Sequence, residues 1–321
     1  MSRADRAFAV LIVTALAAGA VFALPLVITL FPGGLQRALH GYDAIAAVCV
    51  AALYQLGTTL PPLGAIVLTL AAASFVLGAL KAVGTLRRTQ RMLKRHRAVA
   101  MPARLATAAR RVGLTGATVC FLDSRPYAYC RGYLRPQIWV SSGAVGTLRD
   151  AELEAVLHHE DYHRRSHDPL RILTGRVLGQ LFFALPVVRQ LAVSFEVAKE
   201  LDADRAAVAR QGTTKHLAGA LYALARYELP FAASDVAVGA WSVSHARVDQ
   251  LCGSPGEQLL PKLSRRASWL TVAMLSVALL LTVGQVARAN LVPAAVVDAI
   301  DPGAAEMGSH SCPLPMTGVL F

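Results

Sequence analysis

The sequence predicts a mainly α-helical integral membrane protein, with a water-facing domain of helices and a small β-sheet set between membrane-spanning helices. Three observations carry that class. Of 321 residues, 55% are hydrophobic and only 16% charged, and the mean hydropathy is +0.47. Such a balance excludes a disordered chain, which needs low hydrophobicity and high charge. Uncharged stretches long enough to cross a bilayer recur along the chain. Finally, the net charge of +12 is not evenly spread. Residues 81–111 hold ten Lys or Arg and no acid, directly after an apolar stretch. Basic residues beside a span read as an anchor to anionic lipid, and no groove-reading motif accompanies them, so no nucleic-acid partner is expected. The five cysteines are scattered, which excludes a disulfide scaffold; Cys120 and Cys130 are expected as free thiols.

An N-terminal transmembrane region is expected over residues 1–84. Residues 7–31 are uncharged over 25 positions, too long for the apolar core of a signal peptide, and read as a retained span. Residues 60–83 form the second span, with Lys81 near its end able to snorkel. Between them 42–56 is short and contains Asp43, which suits an interfacial helix. If that segment spanned, the middle domain would lie on the other side. Residues 267–287 make the third span, flanked by Arg265, Arg266 and Arg288. Arg3, Arg6 and the later basic groups agree on orientation by the positive-inside rule. They place 85–266 in the cytoplasm and a proline-rich tail, 288–321, outside. Richness in Ala, Arg and Leu suggests a GC-rich bacterial genome, hence a multi-pass protein of a bacterial inner membrane.

Within 85–266, strands are expected at 117–123 and 137–141, β-branched and aromatic segments separated by Pro126, Gly132 and Pro136. A helix follows from Asp150, whose acids Asp150, Glu152 and Glu154 suit its N-terminus. It carries His159-Glu160-x-x-His163. Two imidazoles at i and i+4 project from one face and can share one zinc ion, with Glu160 placed to take a proton from water. The competing reading is a solvated helix face; the apolar flank Ala155-Val156-Leu157 argues that the helix is partly buried. A third ligand is sought in Glu196-Val-Ala-Lys-Glu200-Leu-Asp-Ala-Asp204. Glu200 and Asp204 share a face, so Glu200 can bind metal while Asp204 holds a histidine N–H or a backbone group. Glu196 is the rival ligand, and an acidic face paired with Lys199 and Arg205 is the plain alternative. Residues 178–195 are apolar but broken by Pro186 and Arg189, which suits packed or membrane-dipping helices.

The pattern His159-Glu160-x-x-His163-x-x-x-x-Asp168, with Glu200-Leu-Asp-Ala-Asp204 and the preceding Tyr133-Leu-Arg-Pro-Gln-Ile-Trp-Val-Ser141, resembles the gluzincin membrane metallopeptidases over roughly residues 97–251. Two branches are close, the BlaR/MecR-type regulatory peptidases and the HtpX and CAAX-prenyl-protease type. The short gap from His163 to Glu200 favours the first. The resemblance implies a zincin-like metalloprotease domain holding one Zn2+ per chain. His159, His163 and Glu200 would be its ligands, Glu160 the general base, and Asp204 and Asp168 supporting acids. Sensor members carry a penicillin-binding domain after the last span, whereas this chain stops at residue 321; direct β-lactam sensing is not expected. Asp161, an extra acid beside the base, either faces solvent or perturbs the site.

In peptide hydrolysis the developing oxyanion needs a further donor. His245 and Arg247 are the candidates, with a surface histidine as the plain reading of His245. His158 and His167 fall outside the ligand spacing. An exposed edge strand beside the zinc would hold an extended substrate; the plain reading of the two strands is a small structural hairpin, and both can hold together. The expected function is a membrane-bound zinc endopeptidase at the cytoplasmic membrane face, acting on a regulator or a membrane-associated protein. The alternatives are a catalytically silent zinc-binding scaffold and a lipid- or nucleic-acid-binding protein using the basic run.

Overall fold

The computed structural model describes residues 2–30, 61–227, 245–253 and 263–280. The expected interfacial helix at 42–56, the ends of the first and third spans and the tail 288–321 lie outside these residues. Helix α1 (Arg3–Leu30) and helix α2 (Pro61–Arg95) take the places of the first two spans. A helix occupying 265–280 covers the first part of the third expected span. Among the described residues one segment, Arg3–Val21, is long and apolar enough to cross a membrane. Helix α2 does not stop where its apolar stretch does. No proline falls in 84–95, so Arg87, Arg88, Arg91, Lys94 and Arg95 ride on its continuation. At 1.5 Å per residue they extend it roughly 18 Å past the expected span end.

The chain divides into two compact units, one of residues 1–19 and 70–274, the other of 20–69 and 275–321. In the first, α2 leads to β1 (Ala98–Val99), α3 (Ala103–Arg111), a 3-10 turn (Thr115–Ala117), β2 (Thr118–Phe121), β3 (Ala128–Arg131), β4 (Gln137–Ser141) and α4 (Ser142–Thr147). Then come α5 (Asp150–Arg165), α6 (Asp168–Leu181), α7 (Pro186–Gln211), α8 (Lys215–Ala225) and α9 (His245–Leu251). The described part of the second unit is helical throughout.

The sheet has the order β1-β2-β4-β3. The two expected strands, β2 and β4, are neighbours, but they run parallel. The extra strand β3 lies between them in sequence and pairs antiparallel with β4. Its entry into β4 needs a tight turn. Gly132 has φ +108°, and a Cβ there would sit 2.7 Å from the Arg135 carbonyl oxygen, so only glycine fits. β3 is the edge that packs against α5. It is not exposed as expected: Ala128, Tyr129 and Cys130 are at most 3% accessible.

One core fixes α5. Leu105 and Ala108 of α3, Ile138 and Val140 of β4, Leu153, Val156 and Leu157 of α5, and Leu217, Leu221 and Leu224 of α8 form a single buried cluster. A smaller cluster joins Ala4 of α1 to Ile172 of α6 and to Phe195 and Ala198 of α7. Beside it Asp5 pairs with Arg171 at 2.7 Å, and Phe8 packs on Phe195 with ring centroids 4.9 Å apart. The start of α1 thus grips α6 and α7. Helix α2 grips the end of α6: a Cβ on Gly78 would lie 2.3 Å from the Gln180 carbonyl oxygen. The tip between α6 and α7 is a tight reversal packed on these helices, as expected of the apolar segment 178–195; Phe182 meets Phe75 edge-on at 6.3 Å.

Candidate metal centre

Helix α5 is nucleated where the sequence places its acids. The Arg149 backbone N–H donates to Glu152 Oε2 at 2.8 Å, satisfying one of the donors a helix start leaves open. The helix then runs through the core with His159, Glu160 and His163 all 0% exposed. The i, i+4 spacing points both imidazoles the same way, and their Nε2 atoms lie 3.2 Å apart. Helix α7 crosses this face and delivers Glu200. Its Oε2 is 3.5 Å from His159 Nε2 and its Oε1 3.5 Å from His163 Nε2. Glu196, one turn earlier, is instead held by Arg176 at 2.8 and 2.9 Å.

The other nitrogen of each ring is anchored. His163 Nδ1 donates to Asp168 Oδ2 at 3.0 Å, and His159 Nδ1 lies 2.8 Å from Asp204 Oδ1. With Nδ1–H turned to a carboxylate, each Nε2 presents its lone pair to the centre. Three lone-pair donors therefore converge, and ligand atoms of His159, His163 and Glu200 lie within 4.8 Å of one another. Ligands at zinc-like bond lengths of about 2.0–2.1 Å in a tetrahedron are separated by roughly 3.3 Å. The 3.2 Å between the two Nε2 atoms matches that edge, and each Nε2 lies 3.5 Å from a different oxygen of the Glu200 carboxylate.

Charge makes the same case. Glu160, Asp168 and Asp204 are wholly buried, and the Glu200 side chain is 16% exposed. Facing these four carboxylates are the buried cations Lys199 and Arg247. Lys199 Nζ is 3.0 Å from Asp168 Oδ1. Arg247 grips Asp204 with two bonds, Nε at 2.7 Å and Nη2 at 2.6 Å, and its Nη1 is 3.5 Å from Glu200 Oε2. With both imidazoles neutral, as metal ligands must be, the four carboxylates exceed the two cations by two charges, which one divalent cation supplies. Uncompensated buried charge costs several kcal/mol per ion, so this cluster fits a dication.

The same fields act on the titrations. Burial works against charge on His159, but hydrogen bonds to Asp204 and Glu200 push it up to about 9. Burial would raise Glu200, yet the hydrogen bond from His159 and the charges of His163 and Arg247 hold it down at about 2. Asp204 is likewise held far below the usual carboxylate range, chiefly by Arg247 and His159 overcoming burial. Asp161 neither faces solvent nor enters the site. It is 4% exposed and bound by Arg164 and Arg165, each at 2.7 Å.

Of the sequence candidates, the structure gathers His159, Glu160, His163, Asp168, Glu200, Asp204 and Arg247. His245 it leaves exposed at the first position of α9, two residues from Arg247. His158 is half-buried off the ligand face. His167 is exposed and caps α6 in the left-handed region at φ 51°. Lys199 went unrecognised as part of the site. Its only sequence signal was a cation beside a candidate ligand, which reads equally well as a surface pair. Cys120 and Cys130 are free thiols, as expected. The Cys130 thiol is raised by burial and by the charge of Glu160, in keeping with the packing of β3 on α5.

The family model described as BlaR1 peptidase M56 matches residues 46–241, a segment that contains every gathered residue except Arg247. A search of curated proteins found no match.

Proposed function

We propose that this chain, which belongs to the BlaR1 peptidase M56 family, is a membrane-bound zinc endopeptidase. It hydrolyses peptide bonds at the cytoplasmic face of a bacterial cell membrane, in a regulator or another membrane-associated protein. The observation that carries this reading is the convergence of His159 Nε2, His163 Nε2 and the Glu200 carboxylate, with ligand atoms within 4.8 Å of one another, in a buried and acid-rich cluster.

His159, His163 and Glu200 would hold the ion. The chemistry zinc would supply when bound is Lewis acidity toward a peptide carbonyl and a lowering of the pKa of water to about 7. Glu160 is next to the first ligand, fully buried, and close enough for its charge to act on Arg247. As general base it takes the proton of the attacking water and passes it to the leaving amine, a contribution of about 10²–10⁴ in rate. Asp204 and Asp168 hold the two imidazoles in the tautomer that leaves Nε2 open. Arg247 has its donors on Asp204 and Glu200, so it positions rather than serving as the oxyanion donor.

The membrane assignment rests on where apolar side chains are exposed. Val13 and Leu16 of α1 are 65% and 68% accessible, Leu80 of α2 63%, and Trp269 73%. Apolar stripes of this kind need a covering phase, and lipid is the one their length and basic flanks suit. Multiple spans and the inside orientation follow from the charge pattern.

The test is cleavage of an unstructured protein such as casein by the full chain purified in detergent. Cleavage that a chelator stops, zinc restores and Glu160→Gln abolishes is expected. A zinc-loaded protein that cuts nothing in detergent or in lipid vesicles, while binding metal as tightly as an enzyme, would replace this reading with that of a zinc-binding scaffold.

A further inference from the structure

Each of the two histidines at the centre is backed by the same three-part arrangement. His159 leans on Asp204, and Asp204 on Arg247. His163 leans on Asp168, and Asp168 on Lys199. The second chain is the less expected one. Lys199 is 1% exposed and Asp168 0%, and lysine is almost never buried to that degree without a partner. Asp168 is the first residue of α6, where a helix N-terminus favours a carboxylate. Its two oxygens are divided, Oδ1 to Lys199 Nζ at 3.0 Å and Oδ2 to His163 Nδ1 at 3.0 Å. The ammonium also lies 5.3 Å from the Tyr162 ring centroid, on the helix that carries His163. Lys199 precedes Glu200 on α7, so one turn of one helix supplies a ligand candidate and fixes the carboxylate that orients another.

We propose that Lys199 is a positioning residue for the metal centre, holding Asp168 in the orientation that aims His163 Nε2 at the ion. The proposal rests on the zinc reading above. The rival account is a plain structural ion pair tying α6 to α7. The two differ in what they predict for metal. A structural pair affects stability alone; a positioning residue also changes the affinity and geometry of the ion, typically by about 10- to 100-fold in affinity.

The experiment uses the full chain in detergent as wild type, Lys199→Met, Lys199→Arg, Asp168→Asn and the double variant Lys199→Met/Asp168→Asn. Zinc affinity is read by chelator competition, geometry by the visible absorption of bound Co2+, and stability by melting of the metal-free protein. Lys199→Met is expected to lose about 10-fold or more in zinc affinity and to change the Co2+ band, while Lys199→Arg stays close to wild type. Because Lys199 acts through Asp168, the double variant is expected to bind zinc no more weakly than Asp168→Asn alone.

Removing both charges also avoids the cost of one unpaired buried ion. The double variant therefore carries the test if Lys199→Met fails to fold. Wild-type affinity and an unchanged Co2+ band in Lys199→Met, with only its melting lowered, would overturn the proposal, as would wild-type affinity in the double variant. If the wild type itself takes up no metal, the zinc reading falls first; if it binds zinc and Lys199→Met binds equally well, this inference alone falls.

Discussion

Replacing Arg247 with methionine keeps most of the side-chain volume but removes the cation that holds Asp204. Both residues are 0% exposed, and the guanidinium makes two bonds to the carboxylate at 2.6 and 2.7 Å. Water cannot take over those bonds. Breaking a buried pair by removing one partner costs about 3–5 kcal/mol, because the other is left as an uncompensated charge. For a domain of this size each kcal/mol moves the melting temperature by about 2–4 °C, so Arg247→Met should melt roughly 6–20 °C lower. The assay is thermal unfolding of the metal-free full chain in detergent. Arg247→Met/Asp204→Asn, in which neither member of the pair is left charged without the other, should recover much of the loss. A drop under about 2 °C in the single variant, or no recovery in the double, would refute the premise that this pair is dry and mutually dependent.

The remaining predictions address chemistry, pH and packing. Glu160→Gln should keep zinc at wild-type affinity and lose about 10²-fold or more in proteolysis, measured as cleavage rate on zinc-loaded protein. His159 is raised to about 9 in the metal-free protein, so below that pH a proton competes with the ion. Zinc affinity should therefore climb about tenfold per pH unit up to pH 9 and then level off, as read by chelator competition. The same shift fixes a stability slope. A folded value above the unfolded 6.5 or so stabilises fully below pH 6.5, and that stabilisation is lost as pH rises to 9. Metal-free protein should thus melt progressively lower across pH 6.5–9. Gly78→Ala should destabilise by about 1–3 kcal/mol, since the added Cβ meets backbone of α6 at 2.3 Å; melting that matches wild type would mean that α2 and α6 do not pack this closely.

Much of the centre was legible because its parts sit at helical spacing. His159 with His163, and Glu200 with Asp204, are i, i+4 pairs, and periodicity alone puts each pair on one face. The resemblance supplied Asp168. What the sequence could not convey is which cations enter the cluster. Arg247 reaches Asp204 from 43 residues away, across residues 228–244, and Lys199 reaches Asp168 from another helix. Neither distance leaves a local pattern, and a basic residue beside an acidic one reads first as a surface pair. The sheet was half legible for a similar reason. β4 occupies the expected 137–141 and β2 lies within 117–123. The four residues Ala128–Arg131 of β3 are too short to alternate convincingly, and without β3 the other two strands read as a hairpin rather than a parallel pair. The basic stretch after the second expected span reads as a flank, yet it continues α2, because Lys and Arg are good helix formers and no proline intervenes before Pro102.

The most direct test of the central claim is the zinc content of the detergent-purified full chain, wild type beside His163→Ala, by elemental analysis. The account predicts about one zinc per chain in the wild type and its loss in the variant. A wild type that carries no zinc and takes none up when it is offered would contradict it.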